Sequence, residues 1–366
     1  MHPRDRLLAA VRGQPVDRVP LFLHGFDEVS PEQAADPGKR EILERVRDQM
    51  HYFLDCPSYV NRYLVTPPQR LREVNRDRRD GRTVTTTVID TPKGPLTAVT
   101  EHNDASDTIW TLKYPAETLD DIAKLRSVPW ERPPDLAPPD LSSLPRDFAE
   151  RGIVHAGVSS PFVCVAGAMR YDRFLELCAT EMNLLKELTE QCLERILSVL
   201  DVLLSTRAIE WVWTGGCEWV TPPMGSLEVY AELVQPFEKR VIERVHAGGA
   251  LSHVHCHGNV RSTLELVIER GADYFEPVEP PPDGDIPFAE AKAAAKGRIS
   301  LGGNIEARIL ERGTPDAVET AVRKAFEGGT ARMALQTTAG PLSRLTPRML
   351  KNYHRMIDVW EELSPL

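Results

Sequence analysis

ALSHVHCHGNVRSTLELVIERGADYFEPV, residues 250–278, decides the fold. It opens on a short apolar run, Ala250–His255, passes through a helical pattern at Val260–Arg270, and closes on a second run, Tyr274–Val278. Strand, helix, strand in that order places two parallel strands side by side with a crossover helix on one face. The unit recurs on both sides. Further strand runs are Val19–His24, Ile153–Val158, Ala208–Thr214, Ile299–Leu301 and Arg332–Thr337. Helical patterns are Tyr171–Leu203, Leu227–His246, Phe288–Ala295, Pro315–Phe326 and Pro347–Leu363. These make seven strands, and Phe162–Val165 is the candidate eighth. The expected fold is α/β, a single (β/α)8 TIM barrel spanning 1–366.

Residues 25–150 break this rhythm, so an N-terminal elaboration of helices and a β-hairpin is expected between the first and second strands. A helical pattern covers Gly38–Phe53. Two alternating, β-branched runs, Thr83–Ile89 and Gly94–Thr100, flank Asp90-Thr-Pro-Lys-Gly94 and read as a hairpin. Six prolines between Pro129 and Pro145 mark an extended connector. The hairpin at 83–100 reads either as a lid over the barrel mouth or as surface elaboration.

The 54 acidic and 44 basic residues leave a net charge of −10, which argues against a nucleic-acid partner. No run approaches the roughly 18 uninterrupted apolar residues of a membrane span. The start carries no apolar signal region. Six cysteines without CxxC pairing suit reduced thiols. The expectation is a cytoplasmic enzyme acting on a small molecule, with a homodimer as default.

Candidate chemistry gathers at predicted strand ends, where barrel active sites lie. In Ser252-His-Val-His-Cys-His-Gly-Asn259, alternate residues share a face, so His253, His255 and His257 point together and Cys256 points away. Imidazoles so spaced can ligate one divalent metal. His255 and His257 are the metal candidates, and His253 reads equally as a core histidine held by a neighbour. In Thr214-Gly-Gly-Cys-Glu218, Glu218 is a candidate third ligand or acid/base. Cys217 there is a candidate thiolate ligand or inert packing. His24, Asp27 and Glu276 join Glu218 as catalytic candidates, and Asn259 and Asn304 as cofactor-binding ones. No GxGxxG, Walker loop or GxSxG elbow is present.

Three segments carry a resemblance: Arg6–Pro20 (RLLAAVRGQPVDRVP), Ser300–Thr314 (SLGGNIEARILERGT) and Pro341–Asn352. They resemble the uroporphyrinogen decarboxylase superfamily over nearly the whole chain. The resemblance implies a (β/α)8 barrel and one of two activities. One is cofactor-free decarboxylation. The other is zinc-dependent methyl transfer between a corrinoid protein and a small acceptor. The decarboxylases carry arginines after the first strand to hold substrate carboxylates, but here no Lys or Arg lies between Arg18 and Lys39. Burying a polycarboxylate without cations is costly.

The methyltransferase branch binds zinc through His-x-Cys-Gly and a later Cys. His255 matches the first ligand, His257 replaces the Cys, and Ala339 stands at the later position. A His-His-Glu set is less electron-rich than one with thiolates and favours polarising oxygen or activating water. Metal-dependent methyl transfer is the leading expectation. Decarboxylation of another acid, with His24, Asp27 and His255 as acid/base groups, is the alternative. A non-catalytic ligand-binding member is the third.

Overall fold

The computed structural model describes residues 1–26, 36–104, 106–341 and 344–365; Asp27, a catalytic candidate, falls outside them. Eight parallel strands form the central sheet. In chain order they are β1 (Leu21–Phe22), β2 (Tyr52–Asp55), β7 (Gly152–Ser159), β8 (Trp211–Gly215), β9 (Leu251–His255), β10 (Tyr274–Glu276), β11 (Ser300–Ile305) and β12 (Met333–Thr337). Between β2 and β7 lie the four strands of a separate antiparallel sheet: β3 (Leu71–Arg79), β4 (Arg82–Ile89), β5 (Leu96–Asn103) and β6 (Ser106–Lys113). In the central sheet each strand pairs with its sequence neighbour, and β12 returns to β1 through Leu21↔Leu335 and Phe22↔Gln336. A parallel bridge between Leu21 and Met50, just ahead of β2, closes the barrel.

Cap chemistry places the helices. Thr314 and Thr346 accept N–H bonds from Ala317 and Met349, and each is followed by a proline at the first helical position. Gly271, at φ 89°, ends the helix Leu264–Arg270 in the left-handed region, and β10 starts three residues later. The helices Phe288–Ala295, Pro315–Phe326 and Pro347–Leu363 have the expected bounds. Tyr171–Leu203 and Leu227–His246 are each broken into two helices.

Two expectations are corrected. Phe162–Val165 is helical, within Pro161–Ala166, and wholly buried. A continuous apolar run suits a buried helix as well as a buried strand, and Pro161 at the first helical position favours the helix. The missing strand is β2, whose residues were partly absorbed into the predicted helix at Gly38–Phe53; that helix ends at Val46. The elaboration consequently lies between the second and third barrel strands. Its hairpin is real, with Ile89 opposite Leu96, but it is the centre of a four-stranded sheet.

The N-terminal helix, Pro3–Val11, closes one end of the barrel. Its Leu7, Leu8 and Val11 pack with Ile153, Trp211, Tyr274 and Ala334, and Ser300 Oγ donates to the carbonyls of Ala10 and Val11. Barrel-facing glycines make room for the large inner side chains. A Cβ at Gly302 would stand 2.1 Å from the Tyr274 hydroxyl, and one at Gly215 would stand 2.2 Å from the Trp213 ring. Among the described residues no helix is long and apolar enough to cross a membrane.

Candidate functional site

Strand alternation sets the inner face: Trp211 and Trp213 on β8, His253 and His255 on β9, Tyr274 and Glu276 on β10, Ala334 and Gln336 on β12. Parallel register then places Glu276 beside His255 and Tyr274 beside His253.

Glu276 is the hub, with none of its side chain exposed. Its Oε1 accepts from His253 Nε2 at 2.7 Å and His255 Nδ1 at 2.6 Å. Its Oε2 accepts from Gln336 Nε2 at 2.7 Å and lies 3.4 Å from His24 Nε2. Burial alone would raise the Glu276 carboxyl. The imidazoles of His255 and His253, with a hydrogen bond from His24, outweigh burial and hold it well below the usual range.

The two histidines on Oε1 are shifted in opposite directions. Burial holds His253 down to about 4, so it is neutral at pH 7, and Trp211 Nε1–H donates to its Nδ1 at 3.0 Å. His253 is thus the satisfied core histidine, its proton on Nε2 facing Glu276. Burial would lower His255 too, but the Glu276 charge beside it prevails and raises it.

His257, in the loop after β9, repeats the pattern. Its Nδ1 bonds Glu279 Oε1 at 3.1 Å, and Glu279 Oε2 accepts the Gly258 N–H at 2.7 Å. The His255 and His257 rings stand 4.6 Å apart and 83° to one another. Both Nδ1 atoms are thus held by buried carboxylates. Neither Nε2 has a hydrogen-bond partner among the described residues. A carboxylate behind the ligating imidazole fixes its tautomer and orientation for a metal on the other nitrogen. Glu218, in the turn Cys217–Trp219 after β8, supplies a buried Oε2 that also has no partner.

The four residues named from sequence as metal ligands are nevertheless divided. Ligand atoms come within 4.8 Å of one another in two groups among the described residues: Cys217 with Glu218 and Cys256, and His253 with His255 and Glu276. Cys256 alternates away from the inner face, and Cys217 meets it there. The Cys217 thiol is pushed well up by its hydrogen bond with Cys256 and by burial, so it is no ready thiolate, and its Sγ–H faces the His255 carbonyl at 3.7 Å. Cys217 stands with Glu218 and Cys256 in one of the two groups whose atoms could hold a metal ion. Neither group includes His257, and neither joins His255 to Glu218.

The catalytic candidates His24 and Glu276 are brought together, with Glu276 also bonded to His253, His255 and Gln336. Asn304 is buried on β11 opposite Gln336. Asn259 lines a cavity of about 630 Å³ at the mouth, with Glu218, His257, Tyr171, Trp219 and Met224. Tyr114, directly after β6, is the elaboration's contribution to that wall.

A second cavity, about 310 Å³, runs inside the barrel from Phe26 to Leu7. It is lined by three polar residues that the sequence reading did not name: His51, Asp55 and His155. Asp55 Oδ1 and His155 Nδ1 are 2.5 Å apart. The signal was alternation in HYFLD (51–55) and IVHAG (153–157), legible only once β2 is recognised as a strand.

His51 yields an acid-stability prediction. It is 2 % exposed, and burial together with the charges of Arg151, His24 and Arg6 holds it down to about 3. Below its unfolded value of 6.5 the unfolded chain binds a proton that the folded chain refuses, so stability falls as pH drops towards 3. This group should contribute a loss of about 1.4 kcal/mol per pH unit. His51→Phe should flatten the decline by that amount in denaturation midpoints measured across pH.

The sequence matches the uroporphyrinogen decarboxylase (URO-D) family model over residues 110–338. A search of curated proteins finds no significant match. Among solved structures, a methyltransferase from Methanosarcina mazei aligns over 99% of each chain, with TM-score 0.61 and 15% identity. A B12-independent methionine synthase from Shewanella sp. W3-18-1, in complex with selenomethionine, covers 90% of this chain and 86% of its own, with TM-score 0.45 and 10% identity. The first likeness establishes the barrel fold over the whole chain.

Proposed function

The chain belongs to the uroporphyrinogen decarboxylase family, and from that premise we propose that it is a zinc-dependent methyltransferase. It moves a methyl group between the corrinoid of a partner protein and a small acceptor. The carrying observation is the pair of imidazoles, His255 and His257, each held at Nδ1 by a carboxylate, Glu276 and Glu279, with Nε2 left without a partner. Glu218, whose buried Oε2 has no partner among the described residues, would complete a nitrogen and oxygen donor set that suits zinc, although the three side chains do not converge without an ion. Those three residues would hold the ion. Bound there, zinc supplies a Lewis acid that polarises an acceptor oxygen or sulfur.

The remaining work falls to the chain. Glu276 and Glu279 fix the imidazole tautomers. Tyr114, Tyr171 and Trp219 wall the mouth and exclude water, and the Tyr171 hydroxyl is spent on the carbonyls of Trp219 and Met224, leaving its ring as an apolar surface. Met224, 52% exposed at the rim, offers a flexible apolar contact to a corrinoid protein. Neither cavity is lined by Lys or Arg among the described residues, which speaks against a polycarboxylate substrate.

The test is methyl transfer from free methylcobalamin to a panel of thiol and hydroxyl acceptors, followed by the cobalamin spectrum. Transfer that chelator abolishes and zinc restores supports the reading; transfer indifferent to chelator contradicts it. Glu279→Gln keeps the shape but withdraws the charge behind His257, and should weaken zinc affinity about 10–100-fold in a competition titration with a chromophoric chelator.

A further inference from the structure

The inner cavity carries equipment that the metal reading does not use: none of His255, His257 and Glu218 lines it. At its mouth the Asp55 carboxylate, 71% exposed, holds His155 Nδ1–H at 2.5 Å, and His155 itself is only 16% exposed. With Nδ1 donating to the carboxylate, the lone pair of neutral His155 lies on Nε2, which has no partner among the described residues. An imidazole oriented by a carboxylate in this way is a general base.

His51 lies nearby, stacked on Phe22 at 5.0 Å. The rings of His51 and His155 both contact Phe53, at 5.2 and 4.9 Å. It lines the same cavity as a buried, neutral imidazole without a hydrogen-bond partner among the described residues, so it offers one N–H donor and one acceptor to an occupant.

We propose that this cavity is a ligand site for a planar aromatic molecule carrying a ring hydroxyl, and that His155 takes the hydroxyl proton. The walls select the ring: Phe22, Phe53, Trp211 and Trp213 present aromatic surface, and about 310 Å³ is at the small end of ligand pockets. The charges select the hydroxyl. A carboxylate ligand would arrive ionised and meet Asp55 with no Lys or Arg lining the cavity. A hydroxyl arrives neutral. Its O–H bond breaks, an N–H bond forms at His155 Nε2, and the oxygen keeps the electron pair. Asp55 stabilises the imidazolium, and the His51 N–H donates to the oxyanion. No co-reactant is needed.

The probe is para-nitrophenol, titrated into the full chain at a pH below the phenol's own pKa, where the free probe is colourless. Binding to the wild type should produce the yellow phenolate band. Asp55→Asn, altering a carboxylate that is 71% exposed, should cut bound phenolate about tenfold, the effect of removing an opposite charge in contact. His155→Leu should abolish the band, and para-nitroanisole, which lacks the proton, should bind without forming it. No band with the wild type, or an undiminished band in both variants, overturns the proposal. The band should be the same in chelator-treated protein, so failure of the zinc reading and failure of this site are separately visible.

Discussion

Glu238→Leu should lower stability by about 3–5 kcal/mol, read as a fall in the thermal or denaturant midpoint. Glu238 and Arg270 form an ion pair at 3.1 Å with side chains 1% and 0% exposed, on the helices Gln235–Ala247 and Leu264–Arg270 that pack outside the barrel. Arg270 Nη1 also donates to the Tyr230 hydroxyl at 2.8 Å and Gln235 Oε1 at 3.2 Å. Removing the carboxylate alone strands a guanidinium where no water reaches it. Replacing both, as Glu238→Leu with Arg270→Met, exchanges the pair for apolar volume and should recover most of the loss. A double variant as unstable as the single one would show that shape, not the stranded charge, sets the penalty.

Glu276→Ala should be comparably damaging, and for function more so. The carboxylate accepts from His253, His255 and Gln336, so its loss takes away the acceptor that all three share. The cost should be about 3–5 kcal/mol, since a buried donor that loses its acceptor carries a desolvation penalty. His255 also loses the group that fixes its tautomer, so zinc affinity should fall about 10–100-fold. Glu276→Gln separates the effects: the amide oxygen can still accept from one imidazole, so it should fold better than Glu276→Ala yet bind zinc weakly. Wild-type zinc affinity in Glu276→Gln would remove this residue from the account.

These two residues also mark how far the sequence could be read. Glu276 was legible because it is the one carboxylate within the strand run Tyr274–Val278. His255 and His257 were legible through alternation. The pairing of Glu276 with His255 was not legible, because register between β9 and β10 is a tertiary fact.

β2 was missed because a four-residue strand follows closely on a helix and its inward residue at the mouth, Asp55, is polar, so no apolar signal marks its end. β3 reads LREVNRDRR, a solvated charged run. Its strand character comes from pairing with β4 and from ion pairs such as Arg72–Asp90, not from an apolar face. The Asp55–His155 dyad joins residues 100 positions apart, beyond the reach of spacing arguments. Sequence shows that Cys217 precedes Glu218 but not that Cys256 stands beside them, because that contact joins the ends of two different strands.

The central claim is that His255 and His257 hold a metal. Elemental analysis of untagged protein, purified without chelator, tests it most directly alongside the His255→Ala/His257→Ala double variant. The account predicts about one zinc per folded wild-type chain and none in the double variant. Wild-type protein free of metal, or a double variant that keeps its zinc, would contradict it.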